Sequence, residues 1–196
     1  MRLGFADLGI PPLDEATEKS LVGPPWATML PPLIGERETA EVIAAYRKHY
    51  VDGGLMYDTR LYPGVLDLLD ALRDAGVTMA VATSKPEEYA VPIVERLGLA
   101  PYFVTVGGDG LYSERGTKAL VITEVLDRLG NPDPAGILMV GDRVHDVEGA
   151  AAHGIPTVGV RWGYSMGDEL EAAGAVRVFD TAADLRAALP EVLALP

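Results

Sequence analysis

The feature that most constrains this sequence is an apolar run that ends in two spaced acidic residues. Residues 137–140 read Ile-Leu-Met-Val, Gly141 and Asp142 follow at once, and Asp146 comes four positions later. A short apolar run bounded by glycine is typical of a buried parallel strand, because helices cover such strands on both faces. Asp142 is therefore predicted at the carboxyl edge of a parallel sheet, where open α/β folds bind their ligands.

The spacing places Asp142 at the strand tip and Asp146 in the first turn of the next helix. Two carboxylates this close repel one another unless a cation lies beside them, and hard oxygen ligands favour Mg²⁺. The alternative is structural, with Asp142 as a helix cap and Asp146 interacting with the helix dipole. The motif alone leaves both interpretations open, and its setting in the sheet favours the metal site.

From residue 61 the chain alternates helices with short apolar strands. Five strands are predicted, at 77–82, 102–106, 137–140, 157–160 and 176–179. Strands alternating with helices indicate βαβ units with right-handed crossovers. The predicted fold class is therefore α/β, a Rossmann-like parallel sheet with helices on both faces. Before residue 77 no strand is predicted, and residues 1–60 are expected to form helices broken by proline pairs.

Composition excludes several classes of function. The 196 residues carry 16 basic and 29 acidic side chains and a net charge of −13. Nucleic acids and anionic membranes are bound through clustered Lys and Arg, so neither is expected as a partner. The absence of cysteine excludes disulfides, thiolate metal sites and cysteine nucleophiles. With no long apolar run and no signal peptide pattern, a cytoplasmic protein is expected.

Two other strand ends carry groups suited to an anion. Thr83 and Ser84 follow an apolar strand, where a hydroxyl and free amides ahead of a helix bind anions, although both residues are also common helix caps. Lys118 begins a helix, where a lysine opposes the dipole, although a single surface lysine is usually just solvated. A hydroxyl, an ammonium and carboxylates at the strand tips of one sheet are the components of a phosphoryl-transfer site.

Thr83, Lys118 and residues 141–146 resemble motifs II, III and IV of the haloacid dehalogenase-like (HAD) hydrolases. The resemblance is closest to the phosphoglycolate phosphatase-like branch and covers essentially the whole chain. It implies a small helical cap domain over residues 1–58 and a HAD-like α/β core over residues 59–196. Residues 22–25 resemble the cap segment of the same branch, which implies cap-loop contacts for Gly23, Pro24 and Pro25.

The resemblance implies a role for each motif residue. Thr83, with the Ser84 amide, would bind the transferring phosphoryl group, and Lys118 would hold the nucleophile and the phosphoryl oxygens. Asp142 would bind Mg²⁺ directly, and Asp146 directly or through water. The implied activity is that of a Mg²⁺-dependent phosphatase acting through an aspartyl-phosphate. The implied ligand is a small phosphorylated metabolite, and the implied state is a monomer or homodimer.

The first family motif, an apolar strand ending in Asp-x-Asp-Gly-Thr, does not occur in these residues. Its first Asp is the nucleophile and its second the general acid and base. Asp7 is the nearest candidate, but it has no partner carboxylate and aligns with the first cap helix. We therefore expect a start that is late by on the order of 20 residues, little or no activity, and a slot in the middle of the sheet.

Three explanations of the missing motif stay open: a misassigned start, a truncation and a natural inactive variant. Two alternative functions also stay open. One is a haloacid dehalogenase proper, which has the same fold but no use for the Asp142/Asp146 metal site. The other is a non-catalytic pseudoenzyme that binds a phosphate-containing ligand.

Overall fold

The computed structural model describes residues 1–23, 26–111 and 114–195. The described part of the first 57 residues contains helices and no strand, as the sequence predicts. The elements are α1 (Arg2–Asp7), α2 (Glu15–Ser20), α3 (Trp26–Met29), α4 (Pro31–Ile34), α5 (Glu36–Arg47), a π-helical turn (Lys48–Asp52) and a 3₁₀ turn (Leu55–Tyr57).

This helical region has an apolar core of its own. Its central side chains are Phe5, Leu21, Leu30 and Val42. All four are essentially inaccessible to solvent, and burying each contributes about 1.5–3 kcal/mol. Asp14 begins α2 by accepting a hydrogen bond from the Thr17 amide at 3.0 Å, which satisfies one of the free donors of the first turn.

From residue 65 onward, helices alternate with parallel strands. The strands are β1 (Met79–Pro86), β2 (Phe103–Asp109), β3 (Met139–Gly141), β4 (Thr157–Val160) and β5 (Arg177–Phe179). The helices are α6 (Val65–Asp74), α7 (Glu87–Arg96), α8 (Lys118–Arg128), α9 (Val144–Ala151), α10 (Glu169–Ala172), α11 (Ala182–Ala187) and α12 (Leu189–Val192). The α/β fold class is confirmed.

The strands form two sheets rather than one. β1 pairs with β2, and β3, β4 and β5 pair in that order, with every pairing parallel. Helix α8 joins the two sheets, since it packs on β1, β2 and α9. An apolar cluster that includes Ile122 of α8 and Ala150 of α9 contacts both Ala82 of β1 and Met139 of β3. The order of the strands across the molecule is therefore β2, β1, β3, β4, β5. Among the described residues no strand lies between β1 and β3, and this gap is called the slot below.

The slot leaves apolar strand residues open to solvent. Val140 of β3 is 44% exposed, whereas its ladder partner Val158 of β4 is 0% exposed. Every residue of β1 is partly exposed. Interior strands of a parallel sheet covered by helices are normally buried, so β1 and β3 have the exposure of edge strands. The slot lies where the sequence analysis expects it.

Several element boundaries differ from the sequence prediction, and two of these differences have a clear physical cause. Strand β1 continues to Pro86, beyond the predicted end at Ala82, because its pairing with β2 extends to Asp109. The alternation of strands and helices also predicts one closing helix over 182–193, but the structure has two helices there, α11 and α12, with Pro190 in the first turn of the second. Proline has no amide hydrogen to continue the helical ladder. Among the described residues, the helices are too short or too polar to cross a membrane.

Candidate functional site

The site lies at the carboxyl ends of β1 and β3, where the strand order reverses. The Lys118 ammonium lies 2.8 Å from Asp146 Oδ1, and the two side chains are 9% and 8% exposed. The same ammonium donates to the Ala82 carbonyl at 2.9 Å. Lys118 therefore connects the end of β1 to the helix that follows β3. These contacts are the reason for a lysine in the first turn of α8, where the helix dipole disfavours it.

The second carboxylate oxygen of Asp146 holds the turn between β3 and α9. Oδ2 accepts hydrogen bonds from the amides of Asp142 at 3.1 Å and Arg143 at 3.0 Å. Gly141 leaves room for this carboxylate, because a Cβ there would lie 2.3 Å from Asp146 Cβ. Both oxygens of Asp146 are thus engaged.

Asp142 lies beside a glycine turn that holds its carboxylate. Oδ2 accepts from the Tyr164 amide at 2.6 Å, and a Cβ on Gly163 would lie only 2.0 Å from that oxygen. Burial raises the pKa of Asp142, the Tyr164 amide lowers it, and the charge of Asp146 raises it again. A cation beside this carboxylate would favour its ionised form.

Thr83 and Ser84 lie inside β1 rather than at a helix start. Helix α7 begins at Glu87 with Pro86 as its N-cap residue, so the alternative interpretation of Thr83 and Ser84 as helix caps does not hold. The Thr83 hydroxyl accepts from the Lys85 amide at 3.1 Å, and Ser84 lines the cleft described next. The register of β1 against β2 shifts between Ala82 and Pro86, so Thr83 and Ser84 lie in an irregular stretch of the strand.

A cleft of about 270 Å³ opens at this edge, between the tips of β1 and β2 and the first turns of α8 and α9. It is lined by Gly23, Ser84, Asp109, Gly116, Thr117, Lys118, Ala119, Val121, His145, Glu148 and Gly149. The cleft brings together the predicted residues Ser84 and Lys118 with Gly23 of the helical region. Pro24 and Pro25, also predicted to contact the site, lie outside the described residues.

Asp109 is a site residue that sequence analysis missed. It is buried at the end of β2, and its Oδ1 accepts from the amides of Gly110 at 2.8 Å, Arg115 at 3.0 Å and Gly116 at 3.2 Å. These bonds hold the chain that leads into Lys118. A Gly-Gly-Asp sequence directly after a strand is the signal that could have indicated such a turn.

Arg143 and Lys85 are further missed residues, and both connect the core to the helical region. Buried Arg143 donates from Nε to Glu169 at 2.8 Å and from Nη1 to the carbonyl of Val22. Lys85 donates to the Tyr50 hydroxyl at 2.6 Å. Both cations follow motif residues directly, but only the folded chain shows which partners they reach.

Asp7, the nearest nucleophile candidate in the sequence, lies in α1 of the helical region. Its carboxylate bonds His49 Nε2 at 2.7 Å. It is partly exposed and is not among the residues that line the cleft. Asp7 therefore lies in a helix and apart from the cleft.

Two neighbouring carboxylates of the site, those of Asp142 and Asp146, are available to a divalent cation. Within residues 1–23, 26–111 and 114–195, three or more His, Cys, Asp or Glu side chains do not gather at any point suited to a metal ion. Mg²⁺ needs fewer, because it binds through one or two carboxylates together with substrate phosphate oxygens and water. Asp142 fits as one such ligand, because its carboxylate supplies the hard oxygen atoms that Mg²⁺ prefers.

Comparisons with known proteins place the chain in a family. A sequence profile described as "Haloacid dehalogenase-like hydrolase" matches residues 2–160. The chain is 36% identical to a phosphoglycolate phosphatase of Rhodospirillum rubrum over 194 residues, covering 92% of this chain and 78% of that protein. It is 41% identical over 162 residues to the tyrosine-protein kinase PtkA of Mycobacterium tuberculosis, covering 83% of this chain. The chain spans 54% of the length of PtkA.

Solved structures agree with this placement. A crystal structure of a predicted phosphatase from Clostridium acetobutylicum superposes with a TM-score of 0.86 at 31% identity, covering 96% of this chain and 88% of that one. A structure of M. tuberculosis PtkA gives 0.80 at 37% identity, covering 99% and 88%. The chain belongs to the haloacid dehalogenase-like hydrolases, in the phosphoglycolate phosphatase-like branch.

Proposed function

We propose that this chain carries the phosphoryl-binding and metal-binding parts of a Mg²⁺-dependent phosphatase of small phosphomonoesters. The observation that carries the proposal is the buried Lys118–Asp146 pair at the slot, beside a cleft that Ser84 and Lys118 line. A buried ammonium at the carboxyl edge of parallel strands is placed to bind an anion. The named relatives, phosphoglycolate phosphatases and a 5'-nucleotidase of Pseudomonas aeruginosa, suggest a small phosphorylated metabolite as substrate.

Each residue has a role in this proposal. Lys118 opposes the charge on the phosphoryl oxygens, and it keeps a fixed position because Asp146 and the Ala82 carbonyl both hold its ammonium. The Thr83 hydroxyl and the Ser84 amide donate hydrogen bonds to the same group. A charged donor held in place in advance contributes most where charge develops during the reaction.

Asp142 is the proposed Mg²⁺ ligand, with Asp146 acting through water. When bound, Mg²⁺ supplies positive charge beside the phosphoryl oxygens. Asp142 is held by the Tyr164 amide at 2.6 Å, so its carboxylate needs little reorganisation to bind a cation. Asp146 orients the loop through the Asp142 and Arg143 amides, and such supporting contacts commonly set metal affinity.

The nucleophile is the part that these 196 residues do not supply. The sequence contains no Asp-x-Asp-Gly-Thr, and Asp7 bonds His49 in the helical region. In the family the reaction proceeds through an aspartyl-phosphate, and we propose the same path here when a carboxylate nucleophile is present. The 196-residue chain alone is expected to hydrolyse phosphomonoesters slowly or not at all.

A second candidate is phosphoryl transfer involving tyrosine, which the 41% identity to the tyrosine-protein kinase PtkA favours. Both candidates use the same phosphoryl site, so they differ in the donor and acceptor. A kinase needs a nucleoside triphosphate and a tyrosine acceptor, whereas a phosphatase needs only a phosphomonoester and water. Incubation with labelled ATP and a tyrosine-containing peptide, beside phosphoglycolate and nucleoside 5'-monophosphates, separates them.

The binding site itself is tested with inorganic phosphate in the presence of Mg²⁺, by calorimetry on the 196-residue chain. Lys118→Met should abolish phosphate binding, and Thr83→Val should weaken it by about 1–3 kcal/mol. Lys19→Met, which removes an exposed lysine of α2, is the matched control and should leave binding unchanged. Unchanged phosphate affinity in both site variants would refute the proposed phosphoryl site. Robust Mg²⁺-dependent turnover of p-nitrophenyl phosphate by the chain alone would refute the expected inactivity.

A further inference from the structure

We propose that the cleft selects phosphomonoesters whose leaving group carries hydroxyl groups and no second negative charge. The inference rests on the proposed function and names the substrate class of the same site. The cleft starts at Ser84 and Lys118, the proposed phosphoryl contacts, and continues to Gly23 of the helical region and to the first two turns of α9. A phosphomonoester bound at Lys118 therefore places its leaving group against the remaining walls of the cleft.

The cations at the cleft already have carboxylate partners. Lys118 is the lysine among the described lining residues, and its ammonium lies 2.8 Å from Asp146 Oδ1. Arg143 lies behind the wall, because a Cβ on Gly23 would be 3.7 Å from its Nη1. Its Nε donates to Glu169 at 2.8 Å. Once the phosphoryl group is bound at Lys118, a second anionic group would have to compete with Glu169 for the Arg143 guanidinium.

Lys85, the next residue after Ser84, does not supply the missing positive charge. Its ammonium donates to the Tyr50 hydroxyl at 2.6 Å and lies 4.8 Å from the centroid of the same ring. Lys85 is not among the described residues that line the cleft. Its charge is therefore directed to the helical region rather than to the leaving group.

The walls beyond Lys118 carry hydrogen-bond acceptors and negative charge. Asp109 is buried at the end of β2, where backbone amides bond its Oδ1, and Glu148 lies on the rim with its side chain 66% exposed. His145 Nδ1 lies 3.8 Å from Glu148 Oε2, so this carboxylate would offset a positive charge on the imidazole. A carboxylate on the leaving group would face like charge here, whereas hydroxyl groups can donate to the Glu148 carboxylate.

Neutral polar groups line the cleft beside these carboxylates. The Thr117 hydroxyl accepts from the Leu120 amide at 3.3 Å, and a hydroxyl that accepts can also donate its own hydrogen. The Ser84 hydroxyl lies in the same lining. The cleft thus offers hydrogen-bond partners to a hydroxylated leaving group and repulsion to a carboxylate. A repulsive element against the competitor, combined with good contacts to the preferred ligand, is a general source of specificity.

The test compares two ligands of nearly the same shape, glycerol 3-phosphate and 3-phosphoglycerate. The second has a carboxylate where the first has a hydroxymethyl group. Calorimetry measures the binding of each to the 196-residue chain with Mg²⁺, with inorganic phosphate as a third ligand. Glycerol 3-phosphate should bind about fivefold or more tightly than 3-phosphoglycerate, because like charges placed together disfavour the second ligand. The ratio of the two affinities should fall as salt is added, since Glu148 is exposed to solvent.

A pair of variants assigns the preference to the cleft. Glu148→Lys should lower the affinity ratio about fivefold or more, because a lysine gives the ligand carboxylate a partner. Glu95→Lys is the matched control. Glu95 is also an exposed glutamate of a helix, α7, so the net charge changes equally, and it is not among the described residues that line the cleft. This control should leave the ratio unchanged.

Inorganic phosphate distinguishes failure of this inference from failure of the proposed function. If phosphate binds but glycerol 3-phosphate does not bind more tightly than 3-phosphoglycerate, the selectivity is overturned and the phosphoryl site stands. Equal effects of the two lysine variants also overturn the selectivity, because they assign it to net charge instead of the cleft. If none of the three ligands binds, both proposals fail.

Discussion

Replacing Lys118 with methionine should destabilise this protein more than any exposed charge substitution. The ammonium and its Asp146 partner lie 2.8 Å apart with side chains 9% and 8% exposed. Methionine keeps most of the apolar stem but removes the charge and the hydrogen bond to the Ala82 carbonyl. Breaking a buried ion pair by removing one partner costs about 3–5 kcal/mol, because the remaining charge stays buried without compensation.

The size of this effect is measurable by urea or thermal unfolding. For a chain of this length, about 3–5 kcal/mol corresponds to a fall in the unfolding midpoint of roughly 6–20 °C. Lys19→Met is the control, because the Lys19–Glu15 pair has a similar separation of 2.9 Å but side chains 63% and 76% exposed. Exposed pairs contribute little to stability, so the control should unfold with the wild-type chain.

A double-mutant cycle with Asp146→Asn assigns the loss to the pair. Asparagine can still accept from the Asp142 and Arg143 amides through its side-chain oxygen, so this variant tests charge more than loop geometry. The double variant should lose less stability than the sum of the two single variants, with a coupling of about 1–3 kcal/mol. Additive losses, or a Lys118→Met variant as stable as Lys19→Met, would show that the pair does not hold the two sheets together.

Two glycines, Gly163 and Gly149, lie so close to site residues that an added methyl group should have measurable effects. Gly163→Ala would place a methyl carbon 2.0 Å from Asp142 Oδ2, so Mg²⁺ affinity by calorimetry should fall about tenfold or more, as it does when a ligand is misoriented. Gly149→Ala would place one 2.6 Å from Lys118 Cγ and should lower the free energy of unfolding by about 1–3 kcal/mol in urea titrations. Its control, Gly136→Ala, has no atom within 4 Å of the added carbon and should be neutral.

The fold was predictable where apolar patterning is strong. The strand predicted at 157–160 agrees with β4 because four small or β-branched residues lie between a proline and a charged residue, and all four are buried. The end of β1 was not predictable in the same way. Thr83 and Ser84 are polar and precede a helix, so their local propensity favours a helix N-cap. Pairing with β2 as far as Asp109 instead extends the strand to Pro86.

The sequence predicts which residues gather at the site, but it does not predict most of the contacts between them. Lys118, Asp142 and Asp146 each stand at an element end that the sequence marks. The sequence does not show that Lys118 reaches Asp146, because 28 positions separate them and only the packing of α8 on α9 brings them together. The sequence also does not show that the Asp146 carboxylate accepts hydrogen bonds from the amides of Asp142 and Arg143. Through these bonds Asp146, predicted as a metal ligand, positions the neighbouring Asp142.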